Sequence, residues 1–314
     1  MVIAPFTSSY STRSAYLTLE EFRFSPTASV IDTTQLVDQG GQAAQDRALS
    51  DLITRASNMI DTYTTGKGYG TIGASLNSES GRYYANRQGQ FIIKPNFTPI
   101  IELVSFSYGA TMGNQVVVPL SADNCSVEES AFIVWSWGSS NGIQLTGQNF
   151  GLIGGFSNRQ KAFVNYSYVN GWANAFLTAD AAQGATSLDL TNVIGIYPSN
   201  ATTGQNYEMT LWDGMNTENI LVAPTYVAGT PTLTIQSPLQ YRHGEGCNVS
   251  TLPPVVKQAC IHFVVHLVEQ RGEAGITLAE TGFTESAGKS GTGMDHYAMG
   301  NDMLDEFMSQ WGRS

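Results

Sequence analysis

His262 and His266 stand four residues apart, and Glu269 follows three further on. On a helix the three share one face, and histidines at this spacing can hold one metal ion between them. The glutamate of an HExxH zinc helix is missing, because Phe263 takes its place. The same residues also form a polar stripe beside an apolar face, which suits contact with a neighbouring subunit. Gly288-Lys289-Ser290 has the ending of a phosphate-binding loop, but position 283 is Phe where a glycine belongs, and no strand precedes it. Asp32, Asp38, Glu128 and Glu129 make no recognisable acid–base pair, and Glu128-Glu129 reads as a solvated turn. Trp135, Trp137, Tyr166, Tyr168, Trp172 and Trp212 could line a sugar-binding face, although aromatics at alternating strand positions are core-forming. No Gly-x-Ser-x-Gly elbow or Cys/His signature occurs. The sequence therefore assigns no catalytic residue, cofactor or metal ligand, and no enzymatic activity is expected.

These residues need elements to position them. Thr18-Leu19-Glu20-Glu21-Phe22 reads as the first turn of a short helix, with Thr18 as cap and Glu21 completing a capping box. A strong helix covers about 42–63, where Leu49, Leu52, Ile53, Ala56, Met59, Ile60 and Tyr63 recur at helical spacing. Residues 66–81 read as a Gly/Ser-rich loop. Strand-like runs follow at 91–93, 100–106, 116–118, 132–135 and 162–169. A second β-patterned block fills 173–250, with Asp213-Gly214 as a hairpin turn. Its short strands predict a small barrel or sandwich. Pro253-Pro254 then starts a helix to about 271, with Val256, Ala259, Cys260, Phe263, Val264, Leu267 and Val268 on a wide apolar face. Residues 272–294 read as a flexible linker. A last amphipathic helix covers about 295–311, with Met303, Leu304, Phe307, Met308 and Trp311 on one side.

A free helix of that length is marginal in water. It either folds back on its own domain or docks on another chain, and the long acidic linker favours docking.

Composition narrows the function classes. The 314 residues are 42% hydrophobic and only 13% charged. No apolar run reaches the roughly 18 residues that span a bilayer. Residues 1–6 have no basic n-region, so a signal peptide is not expected. Cys125, Cys247 and Cys260 are too scattered for a disulfide framework, which fits folding in a reducing cytosol. The net charge is −11 and no basic block exists, which disfavours tight nucleic-acid binding. The 173–250 block, with one basic and six acidic side chains, carries more net negative charge per residue than the body around it.

Several of these segments together resemble tailed-phage head-to-tail connector proteins, the adaptor rings under the portal. The resemblance rests on Tyr16–Phe22, on Leu49–Thr64 with its ending Met59-Ile60-Asp61-Thr62-Tyr63-Thr64, and on the strand Val164–Trp172 with its Tyr-x-x-Gly turn. It extends to the proline-started helix Leu252–Gly272 and to Tyr297–Trp311. The 173–250 block resembles β-inserts of some phage adaptors. This resemblance implies a structural virion protein of the neck, made in the host cytoplasm. It implies a ring, commonly of twelve copies, that binds the portal and a tail or second neck protein. DNA would pass through its channel without sequence-specific binding, and no membrane is involved. An acidic lining repels phosphates and lets DNA slide.

The expected fold is α+β: a helical bundle packed on an antiparallel β-sheet, with an inserted all-β domain. Residues 1–172 and 252–271 would be the adaptor body, 173–251 the inserted β domain, 272–294 the linker and 295–314 the docking helix. Met303, Leu304, Phe307, Met308 and Trp311 are expected at the portal. Leu49, Leu52, His262, His266 and Glu269 are expected between ring subunits. The alternative is a carbohydrate- or host-surface-binding tail or decoration protein that uses the β block.

Overall fold

The computed structural model describes residues 15–28, 31, 33, 36–37, 40–86, 89–121, 124–128, 130–135, 161–199, 206–273 and 295–311, with backbone alone at 271–273 and 311. The 272–294 linker lies almost wholly outside these residues, as do Asp32, Asp38, Glu129, Trp137 and Gly288-Lys289-Ser290. The fold is α+β with antiparallel sheets and no closed barrel among the described residues.

The chain divides into two compact units, one of residues 64–171 and one joining 1–63 to 172–310. The sequence pattern suggests another division, with the first β block in the adaptor body and the second set apart. The reason for the difference lies in side-chain contacts. Buried polar and aromatic contacts, such as Lys257 with Asn248 and Trp212, tie the second β block to the helices.

The 64–171 unit holds β1 (Ser75–Tyr84), β2 (Gln90–Ile93), β3 (Ile100–Thr111), β4 (Asn114–Val117), β5 (Cys125–Val127), β6 (Phe132–Trp135) and β7 (Lys161–Asn170). They form a four-stranded sheet, β1-β7-β3-β4, and a three-stranded sheet, β2-β6-β5. Phe91, Ile93, Phe106, Phe132, Val164, Tyr166 and Tyr168 fill one core. The Tyr166 and Tyr168 hydroxyls donate to the Glu79 carboxylate at 2.7 and 2.6 Å. Buried tyrosines thus keep hydrogen-bond partners, as the interior demands. β1 is absent from the sequence reading because Ser75-Leu76-Asn77-Ser78-Glu79-Ser80 carries almost no apolar signal; as an edge strand it pairs along β7 instead. Gly171 ends β7 at φ +91, and a Cβ there would lie 2.6 Å from the Ile72 carbonyl oxygen. The Tyr-x-x-Gly turn requires glycine for both reasons.

The other unit holds four helices: α1 (Leu19–Phe24), α2 (Gly41–Gly66, its last turn passing into the 64–171 unit), α3 (Pro254–Glu273) and α4 (His296–Trp311). Its strands are β8 (Asn174–Phe176), β9 (Ser187–Asp189), β10 (Glu208–Trp212), β11 (Glu218–Leu221), β12 (Thr232–Thr234) and β13 (Asn248–Ser250). They form a sheet β11-β10-β13-β8 and a pair β12-β9 around Leu188, Met209, Leu211, Val222, Leu233 and Val249. The chain enters and leaves this β block through β8 and β13, which pair antiparallel. Beyond them, Thr251 N–H donates to the Ala173 carbonyl at 2.9 Å.

The helices begin where the sequence places them. Thr18 and Glu21 form the capping box of α1. Pro254 opens α3, where a missing N–H costs nothing. Asp295 caps α4 by accepting from Ala298 N–H at 3.0 Å. Residues Ala259–Val265 are buried without interruption, which makes α3 the central helix of its unit. Among the described residues, no helix is long and apolar enough to cross a membrane.

Candidate functional site

Tyr16–Phe22 and the proline-started helix meet at Lys257. This residue lies on the second turn of α3, and its ammonium is almost wholly buried. It donates to Glu21 Oε1 at 2.6 Å, to the Tyr16 carbonyl at 3.1 Å and to Asn248 Oδ1 at 3.0 Å. It also lies 4.6 Å from the centre of the Trp212 ring. Burial lowers the Lys257 pKa, and the Glu21 carboxylate opposes that shift. Glu21 does two things at once, since its other oxygen accepts from Thr18 N–H at 2.7 Å in the capping box. Asn248 Nδ2 in turn donates to Asn174 Oδ1 at 2.7 Å, which reaches across β13 to β8.

The neighbouring contacts fix the helices. Tyr16 hydrogen bonds through its hydroxyl to Asp61, and its N–H donates to Ser57 Oγ at 3.0 Å. Arg23 pairs with Asp46. The Phe24 ring covers Gly214 in the β10–β11 turn so closely that a Cβ there would overlap it. Gly300 of α4 likewise accepts the Phe263 ring, 3.0 Å from where a Cβ would sit.

The helix α4 lies on its own chain. Leu304, Phe307 and Met308 are buried and Met303 is half-buried. The Phe307 ring packs on Trp172 at 5.1 Å between centroids, and Tyr63 Oη donates to Asp305 at 2.8 Å. This corrects the docking expectation for Leu304, Phe307 and Met308, since the apolar face already has a partner within the chain. The side chain of Trp311 lies outside the described residues.

The expected subunit contacts are corrected in the same way for Leu49, Leu52 and His262. Leu49 and Leu52 are 0% and 1% exposed, so they are core rather than surface. His262 is buried, and its Nδ1 lies 2.9 Å from Nδ1 of His296 with the rings stacked. Burial, and then the adjacent His296, lower the His262 pKa. His266 packs its ring on Tyr297 and bonds Gln270 at 2.9 Å, while Glu269 lies 3.9 Å from His296. Of the stripe, His262 is covered by α4, while His266 and Glu269 stay partly exposed. His262 pairs across helices and not with His266.

Of the aromatic residues, Tyr166 and Tyr168 are buried, and Trp135, Trp172 and Trp212 are half-buried. Trp172 stacks on Phe307, and Trp212 lies under Lys257. Glu128 is exposed. Burial pushes the thiol of Cys260 up to about 12 and that of Cys247 up to about 11, so neither is activated as a nucleophile.

Sequence reasoning did not single out Lys257, His243 or His296. A lysine on the second turn of an apolar helix, facing a capping-box glutamate, is the one signal that could have marked the first. No protein-family model matches the chain, and no curated protein matches it.

Proposed function

We propose that the chain is a structural virion protein: a neck adaptor that assembles into a ring, joins the portal to the tail and surrounds the DNA exit channel. The observation that carries this reading is the Glu21–Lys257 contact. Glu21 belongs to the Tyr16–Phe22 motif and Lys257 to the proline-started helix, 236 positions apart, and both motifs bear the resemblance to phage connectors. Their buried union gives these short motifs a shared structural purpose.

Two further features support the reading. The β block at 173–251 behaves as an insert, because its ends are hydrogen bonded to each other, with β7 before it and α3 after it in the chain. The net charge of −11, with no basic block, suits a channel that must not grip phosphates. In this reading about a dozen copies close a cyclic ring by a head-to-tail interface. The partners are the portal and a tail or second neck protein, and the site of action is the virion neck. No catalysis is involved.

The reading is tested by co-expressing the chain with the portal protein of the same phage. Co-purification of the two through size exclusion supports it. Separate elution at concentrations well above micromolar contradicts it.

A further inference from the structure

Asp213 closes the β10–β11 hairpin. His243 and Cys247 begin and end the turn His243-Gly244-Glu245-Gly246-Cys247. Both turns are held by backbone bonds. His243 exchanges N–H···O bonds with Ala181 at 2.8 and 2.9 Å, and the Cys247 carbonyl accepts from Leu177 N–H at 2.9 Å. Gly246 at φ +86 lets the chain bend back so that Cys247 faces His243. The carboxylate of Asp213, a ring nitrogen of His243 and Sγ of Cys247 all lie within 4.8 Å of one another.

We propose that Asp213, His243 and Cys247 bind a zinc ion, with Glu218 as the residue that orients His243. This site is independent of the adaptor reading. Thiolate, imidazole and carboxylate together are a zinc donor set, and ligand atoms around tetrahedral zinc lie about 3.3–3.8 Å apart given metal–ligand bonds of about 2.0–2.3 Å. The three ligand atoms, all within 4.8 Å of one another, lie close to that spacing. Asp213 Oδ2 now lies 2.9 Å from His243 Nδ1, and its side chain, 16% exposed, leaves a route for the ion and for a water as fourth ligand.

One observation separates this cluster from a chance grouping. His243 is 0% exposed, and its far nitrogen, Nε2, lies 2.7 Å from Glu218 Oε1. Glu218 is itself fixed by N–H groups of Gln240 at 2.9 Å and Tyr241 at 3.3 Å. A carboxylate on the far nitrogen is the usual support of a metal-bound histidine. Burial raises the Glu218 pKa, but the Gln240 N–H, the His243 bond and the Tyr241 N–H outweigh it and hold the carboxyl below its ordinary value.

The test uses the full chain, stripped with a chelator and titrated with zinc chloride by calorimetry near neutral pH. The expected result is one zinc per chain with protons released on binding, read from buffers of different ionisation heat. Cobalt(II) should give a thiolate-to-cobalt charge-transfer band. That band should survive Cys125→Ser and Cys260→Ser and vanish in Cys247→Ser. Glu218→Gln should weaken zinc by about 10–100-fold. Circular dichroism checks folding, and if Cys247→Ser does not fold, the band in the wild-type chain and its Asp213→Asn variant decides. Absence of saturable binding overturns the proposal. So does a bound cobalt without the thiolate band, or zinc binding that is lost with His296→Gln and kept with Asp213→Asn.

Discussion

Lys257 Nζ lies 2.6 Å from Glu21 Oε1, with 5% and 7% of the two side chains exposed. A pair this deep is worth little against a well-packed apolar substitute, but it is costly to split. It joins the capping box of α1 to the central helix, and through Asn248 it reaches the strand that closes the β block.

Removing one partner of that pair should therefore cost more than removing both. Glu21→Gln or Lys257→Met alone is expected to lower stability by about 3–5 kcal/mol. The double variant should recover part of that loss. Urea unfolding of the four proteins gives the coupling. Additive single effects would show that the contact does not hold the unit together.

Gly171 is expected to be intolerant of any side chain. Gly171→Ala would be strained by at least about 1–3 kcal/mol from its positive φ, before the overlap with the Ile72 carbonyl is counted. Thermal unfolding reports the loss, and hydrogen exchange should show it concentrated around residues 72–75 and 168–171. Substitution at Gly113, where a Cβ meets nothing within 4 Å, serves as the mild control.

Phe307→Ala tests whether α4 is part of the body. With Phe307 6% exposed against Trp172, the truncation should cost about 3–5 kcal/mol and increase proteolysis of α4. A helix held free for an outside partner would leave the unfolding midpoint unchanged.

The His262–His296 pair predicts a pH dependence. Burial and then His296 depress the His262 pKa below its ordinary 6.5, so the unfolded chain takes up this proton first on acidification. The associated stability is complete above about 6.5 and is lost as pH falls through the lower folded value. His296, Gln258 and Glu269 are the groups that face the pair. Urea midpoints should fall between about pH 7 and pH 5, and His262→Gln should flatten the slope.

The sequence made some of this legible and hid the rest for physical reasons. Amphipathic spacing in Leu49–Ile60 and capping signals at Thr18 and Pro254 locate three helices to within a few residues, because those signals are local. The Asp213-Gly214 hairpin is equally local. The strands β8 and β13 have three residues each and too little pattern to detect, yet they form the joint between helices and β block. β1 was hidden because an edge strand satisfies its backbone through β7 without needing apolar side chains. The contacts of Glu21 with Lys257, His262 with His296 and His243 with Asp213 and Glu218 join distant positions, and no spacing encodes them. Helical periodicity finds the apolar faces of α2 and α4 but does not say what covers them, which is why core residues such as Leu49 and Phe307 read as interface.

The most direct test of the adaptor reading is electron microscopy of the chain bound to its portal protein. The account predicts a closed ring of about a dozen copies stacked on the portal and coaxial with its channel. Small oligomers without a central channel, or density attached to the side of the portal, would contradict it.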